Sequence, residues 1–255
     1  MGLDINDAWK ATCRIVLGGE IGELKTYEAY LTQYVEPIFS KKSALGGQSL
    51  PVSVPYFCPA AKFISLAEQD AYNKKISDVK LNLNQIKDIE SILSEISPHF
   101  FYAADQVTGN SFDVAESDNI IDSQVVYKSQ QVWSGKFVAY SSLARLDEYI
   151  FGVNWSGEAK YLIRCFQTYR QQRCFETNIT FESSDCHYTS NLWGCSDCLF
   201  TFNQRNRRHL IGNLALEPSK YLAVKKSLLE QVRSELKSKK NTLSILDILG
   251  GADAP

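Results

Sequence analysis

From Ile120 onward the chain is built on one recurring phrase, a small or polar lead-in followed by an apolar or aromatic pair, and no proline interrupts it until Pro218. Aligned on the lead-in, SQQVW, LARLD, EAKYL, QQRCF, SSDCHY, CSDCLF and RNRRHL bring Val132, Leu146, Tyr161, Cys174, Cys186, Cys198 and His209 into equivalent positions. The steps between them are 14, 15, 13, 12, 12 and 11 residues, a drifting but narrow period that is equal through the three cysteines. A repeat of that length predicts stacked rungs, in which equivalent side chains form ladders along the stack. Cys174, Cys186 and Cys198 then form one interior ladder, and because cysteine behaves as a small hydrophobe such a ladder requires no metal. An antiparallel meander with units of the same length is the alternative. It would normally carry Asn-Gly or Asp-Gly hairpin turns, which the repeat lacks, so a β-solenoid is preferred.

The 255 residues are 44% hydrophobic and 22% charged, enough for one large domain or two small ones. Upstream of the repeat, apolar residues recur at helical spacing in 5–17 (Ile5, Ala8, Trp9, Thr12, Ile15, Val16), with Asp4 as a candidate cap, and again in the stretch ending at Pro37. A third helix is predicted over 83–96, with Ile86, Ile89, Ile92, Leu93 and Ile96 as its buried stripe. The Gly- and Pro-rich stretch 43–66 reads as loops with one or two short strands, and the aperiodic 97–119 as a connection. After the repeat, Pro218 opens an amphipathic helix with Tyr221, Val224, Leu228, Val232 and Leu236 on one face, suited to covering an exposed strand edge. The expected organisation is α+β: an α-rich N-terminal domain (1–117), a β-solenoid repeat (118–216), a capping helix (217–240) and an apolar tail (241–255).

The closing residues Phe202, Arg205, Asn206, Arg207, His209, Ile211 and Asn213, followed by Tyr221 and the helix, carry a family resemblance. They resemble the end of a group of uncharacterised Cys- and Ser-rich proteins of archaea and small-genome bacteria, in which an aromatic residue, Arg-Asn-Lys-x-Tyr and Ile-x-Asn precede a helix. His209 stands where that group usually has an aromatic residue, and Arg207 where it has lysine. The resemblance covers roughly the second half of the chain and implies a β-solenoid with a helical cap, and no activity.

Seven cysteines is an odd number and argues for reduced thiols rather than a disulfide framework. With no apolar run of the roughly 20 residues a span requires and no leader-like start, the expected location is the cytoplasm, without membrane association. Cys195-x-x-Cys198 is half a zinc knuckle that Cys186 and His209 could complete, the alternative to the apolar ladder. In a regular strand, however, residues 195 and 198 point to opposite faces. Charge is uneven: residues 160–240 carry 14 Lys and Arg against 7 Asp and Glu. Arg164, Arg170, Arg173, Arg205, Arg207 and Arg208 among aromatics are therefore candidates for nucleic-acid contact.

No GxGxxG, P-loop, GxSxG or HExxH occurs, and no cofactor is expected. The preferred reading is a non-enzymatic interaction or scaffold protein with a protein partner or self-association. A nucleic-acid- or ribosome-associated factor and a carbohydrate-active β-helix enzyme are the alternatives. In the tail, Leu243, Ile245, Leu246, Ile248 and Leu249 either pack back onto the molecule or dock into a partner.

Overall fold

Every third residue from Asp113 to Gly212 lies in the left-handed region, with φ between 44° and 68°. This local feature creates the coil. Two extended residues and one left-handed residue make a triplet, and the left-handed residue resets the alternation of the strand, so that two side chains point out and the third points in. Four triplets close one turn. The computed structural model describes residues 4–53 and 60–250 and contains a β-solenoid of about nine turns over 107–211. Cys58 and residues 54–59 of the loop-rich stretch lie outside the described residues.

Each turn contributes a strand to each of two parallel sheets. In the first sheet Lys136 pairs with Gln124 on one side and Glu148 on the other; in the second, Ser142 pairs with Gln130 and Asn154. From Phe112 to Ile211 every parallel pairing keeps the offset of Gln124 to Lys136, without the drift of the sequence alignment. One inward column runs Val126, Val138, Ile150, Leu162, Cys174, Cys186, Cys198 and Leu210, all buried. The cysteine ladder is therefore present, but its neighbours differ from those expected. Val132 belongs to the inward column of the other sheet, and Leu146, Tyr161 and His209 occupy left-handed, outward positions. Alignment on the polar lead-in slipped from turn to turn because inward and outward positions both accept apolar side chains.

The interior also holds polar corners, and these explain the abundance of Ser and Cys. Ser129 donates to the Tyr127 carbonyl (2.9 Å) and accepts from the amide of Ser141, one turn later (3.1 Å); Ser141 does the same with Ala139 and Val153. Cys174, Cys186 and Cys198 donate in the same way to the carbonyls of Gln172, Ser184 and Ser196, at 3.3, 3.2 and 3.4 Å. A small donor thus reaches the carbonyl two residues back while adding little volume; at Tyr127 and Ala139 it fills the second lone pair of an oxygen that also accepts the amide of Tyr140 or Gly152.

Helices α1 (Ile5–Leu17) and α2 (Glu28–Thr32) lie on the outer face of the first sheet. Asp4 caps α1 at the amide of Asp7, as expected. Ala8, Trp9, Cys13 and Val16 share one core with Ala139, Phe151, Ile163 and Phe175, so the N-terminal helices and the solenoid are packed together. Gly152 permits the closest approach: a Cβ there would lie 2.8 Å from the Leu31 carbonyl, and its φ is +68°. Strands 39–42 and 49–52, with 63–65 paired to 102–104, form a small cluster around Leu50, Val52, Phe63 and Ala104 at the first turn. Parallel pairing begins at Val107, upstream of residue 118. Helix α3 (Leu66–Ile76) follows, capped by Ser65.

The predicted helix over 83–96 is shorter than expected and differs in burial. Helix α4 spans Ile89–Ile96, started by a reciprocal cap between Asp88 and Ser91, and none of its residues is buried. Ile86, Ile89 and Leu93 are at least half exposed, so the stripe is amphipathic without a partner among the described residues. Helix α5 (Pro218–Lys239) sets Tyr221 against His209 on the last turn and runs on to α1, where Arg233 donates to the Leu17 carbonyl. Tyr221, Val232 and Leu236 are buried as expected, together with Leu229, whereas Val224 and Leu228 are only half-buried.

The edge of the last turn is closed by the residues that carry the resemblance. Strand 214–215 pairs antiparallel with 208–211, and the Asn213 side chain accepts from the Phe202 amide (2.9 Å) and donates to its carbonyl (3.0 Å).

Candidate functional site

Within the coil the largest charge anomaly is the pair Arg164–Glu176, adjacent in one outward column and both fully buried. Glu176 Oε1 lies 3.1 Å from Arg164 Nε and accepts from Tyr30 at 2.8 Å; Oε2 accepts from the Ser244 hydroxyl and the Ile245 amide. The Arg164 guanidinium lies over the rings of Tyr30 and Tyr34, 4.2 and 5.1 Å away, and donates to Gln33. Burial raises the Glu176 carboxyl above its ordinary range, opposed by Arg164 and the hydrogen bonds. The pair holds α2 and the tail on the solenoid and faces no opening.

The tail itself divides its apolar residues. Thr242, Ser244 and Ile245 are buried and Leu246 is half-buried, while Leu243, Ile248 and Leu249 are exposed in or beside α6 (Ile245–Gly250). The docking candidates are therefore partly used for packing back onto the molecule.

Asp147 is an inward carboxylate at a corner that Ser123 and Ser183 occupy in other turns. It accepts from the amide of Ala159, one turn later (2.9 Å), from Ser156 and from the Arg145 amide. Burial pushes its carboxyl up to about 6. His187, under α1, has Nε2 2.9 Å from the Val16 carbonyl and is pushed down to about 4, first by burial and then by the Lys225 charge. The two groups act oppositely. Asp147 adds stability that is complete below pH about 4 and is lost as pH rises through 6; His187 adds stability present above about 6.5 and lost as pH falls through 4. Replacing Asp147 with Ser, the residue of equivalent corners, should leave the coil intact. It should also change the stability difference from wild type by about 3 kcal/mol between pH 4 and 7, in favour of the variant at pH 7. Urea unfolding at both pH values measures this; a pH-independent difference would refute the assignment.

A cleft of about 590 Å³ lies where α2 and the strand after it meet the solenoid, lined by Glu28, Glu36, Phe39, Glu116, Lys128 and Tyr140. Lys128 is 2.6 Å from Glu28 and 3.7 Å from Glu116, and the Glu28 hydrogen bond raises its ammonium above the ordinary value, which disfavours a catalytic amine.

The alternative zinc set is brought together only in part: its three cysteines are interior neighbours, and His209 is not among them. Cys186 and Cys198 share an inward column, Cys195 is buried at a neighbouring corner, and His209 faces out against Tyr221. Cys195 and Cys198 both point inward because left-handed Asp197 intervenes, which corrects the strand-alternation argument. Among the described residues no group of three or more His, Cys, Asp or Glu is placed to hold a metal ion. The candidate arginines are also dispersed: Arg164 is buried, Arg170 pairs with Glu158 and Arg173 with Asp185. Only Arg205, Arg207 and Arg208, at the last turn, form no ion pair among the described residues.

The feature that sequence reasoning missed is the outer face of the second sheet. Trp133, Tyr169, Phe181 and Trp193 occupy one outward column, with Trp155 beside it. Trp155 is 56% exposed and Trp193 is 49% exposed. Three of the chain's four tryptophans thus stand on one side of the coil. An alignment of positions 133, 145, 157, 169, 181, 193 and 205 would have revealed the column. The chain matches no family model, curated protein or solved structure in the three comparisons made.

Proposed function

We propose that the protein is a non-catalytic binding scaffold whose solenoid presents the outer face of the second sheet to a partner. The observation that carries this reading is the gathering of Trp133, Trp155 and Trp193 on that face, two of them about half exposed, while the first sheet buries Phe137, Tyr140, Phe151, Phe175 and Tyr188 in the core it shares with α1 and exposes Phe112 and Phe200 near its ends. Large exposed aromatic area is unfavourable in water and is concentrated at interaction surfaces. The carboxylates of the repeat support a non-enzymatic role: Asp147 is interior, Glu176 is paired with Arg164, Asp185 with Arg173, Asp197 with Lys225 and Glu148 with Lys160.

The thiols of the cysteine ladder each serve as hydrogen-bond donors, a role that oxidation would remove, and this supports a reducing compartment such as the cytoplasm. No helix of the described residues is long and apolar enough to cross a membrane. The closing phrase around Asn213 supports kinship with the Cys- and Ser-rich microbial solenoids, and a shared scaffold role.

Hydroxyl-radical footprinting tests the face. Oxidation of Trp155 and Trp193 should be slower in native extract than in purified protein, with exposed Phe100 and Leu222 unchanged. Equal rates at the tryptophans in both settings would refute the reading.

A further inference from the structure

We propose that the exposed face of the second sheet binds a neutral polysaccharide chain laid along the solenoid axis; this rests on that face being the binding surface. Its shape favours a polymer. Successive turns are about 4.8 Å apart, so the column from Trp133 to Trp193 extends over roughly 24 Å. At the turn where the column has Gly157 and no side chain, Trp155 in the neighbouring position provides the ring. Phe181 and Trp193 contact one another with ring centres 5.5 Å apart, so the apolar strip continues from turn to turn. A strip of this length lying on an open sheet suits an extended chain better than a compact ligand, which would need a concave site.

Its charge selects the class of polymer. The face and the turns leaving it carry Arg145, Arg170, Arg205 and Arg207 against Asp122, Glu158 and Glu182, four cations against three anions, a net charge of +1. Arg145 lies over the Trp133 ring at 4.8 Å, and Arg170 is 3.1 Å from Glu158. A polyanion would find a surplus of one cation, placed at the last turn, and would gain little from counterion release along the rest of the strip. A sugar chain is uncharged, presents C–H faces that stack on aromatic rings, and presents hydroxyls that both donate and accept.

The remaining residues of the face match that need. The left-handed column beside the rings runs Gln131, Leu143, Trp155, Gln167, Ile179, Asn191 and Asn203, and each of its four amides offers two donors and an acceptor. Asn191 donates to Asn203 at 2.7 Å, which aligns amides of successive turns. With Glu158 held by Arg170, the other unpaired carboxylate counted on this face among the described residues, Asp122, stands five turns from Glu182, roughly 24 Å, so the face binds a chain without the closely paired carboxyls that hydrolysis requires.

Affinity electrophoresis of the full chain in gels containing soluble β-glucan, xylan, glucomannan or chitin oligomers, with an oligothymidylate as the charged control, tests the proposal. At least one neutral polysaccharide should retard the protein, and high salt should leave the retardation unchanged. Trp155→Ala and Trp193→Ala, at exposed positions, should each weaken binding about tenfold at wild-type melting temperature. Failure of every polysaccharide to retard the protein, or salt-sensitive binding to the oligonucleotide alone, would overturn the ligand class. Footprint protection of Trp155 and Trp193 persisting in that case would leave the interaction face standing, whereas loss of protection as well would remove both.

Discussion

Glu176→Ala should destabilise the protein by about 3–5 kcal/mol, because it leaves the Arg164 charge buried without its counter-ion. The loss is compounded by the other donors that converge on this carboxylate: the Tyr30 hydroxyl, the Ser244 hydroxyl and the Ile245 amide would all lose their acceptor. Replacing both partners, Arg164→Met with Glu176→Leu, should recover part of that loss. The left-handed backbone accepts leucine elsewhere in the coil, at Leu143 and Leu146, and no charge then remains buried. Urea unfolding of the two variants measures the difference. Limited proteolysis should also cleave the 241–250 tail faster in Glu176→Ala, since the Ser244 and Ile245 contacts are what hold it. A single variant as stable as wild type would mean that water reaches Arg164 and that the clasp contributes little.

The solenoid was legible where side chains are small and chemically uniform. Cys174, Cys186 and Cys198 recur at one fixed interval and occupy one inward column, so their spacing reported the register directly. Farther upstream the inward positions are Val138, Ile150 and Leu162, while the outward positions over α1 are Ala139, Phe151 and Ile163. Both sides of the strand are apolar there because a helix covers the outside, so the inward–outward contrast on which a register depends is absent from the sequence. The period of three was written more faintly, in Asn, Asp and Gly at 119, 122, 152, 185, 191, 194, 197, 203, 206 and 212, the residue types that enter the left-handed region most easily. Tyrosines, arginines and leucines fill the same geometry at other turns, because ladder hydrogen bonds on both sides hold the backbone there regardless of local preference. The aromatic face was illegible for a related reason. Trp133, Trp155 and Trp193 are far apart in sequence and become neighbours only once the register of the coil is known.

The helix over 83–96 shows the opposite failure. Its apolar spacing is genuine, and Ile89 and Leu93 do share a face, but periodicity reports which side chains align and says nothing about what they meet. For α1 the same pattern is answered by a core of Phe151, Ile163 and Phe175; for α4 no partner lies in the chain among the described residues. The tail residues fall between these cases, with Ile245 buried beside Glu176 and Leu249 exposed.

Trp9→Ala should cost about 3–5 kcal/mol, and the loss should be felt throughout the first sheet as well as in α1. Trp9 is fully buried, its indole N–H donates to the Gly22 carbonyl at 2.9 Å, and its ring meets Phe151 edge-on at 5.2 Å and Tyr27 at 5.6 Å. Truncation opens a cavity between helix and sheet and removes the contact that Phe151 makes outside the coil. Because Phe151 lies in the same column as Ala139, Ile163 and Phe175, the cavity borders several turns at once. If the N-terminal helices and the solenoid unfold together, hydrogen-exchange protection should fall in parallel for α1 and for strands 148–151, 160–163 and 172–175. Thermal unfolding should also remain a single transition at a lower temperature. Protection lost from α1 alone, with the strands unchanged, would show instead that the helices are a separable cover on an independently stable coil.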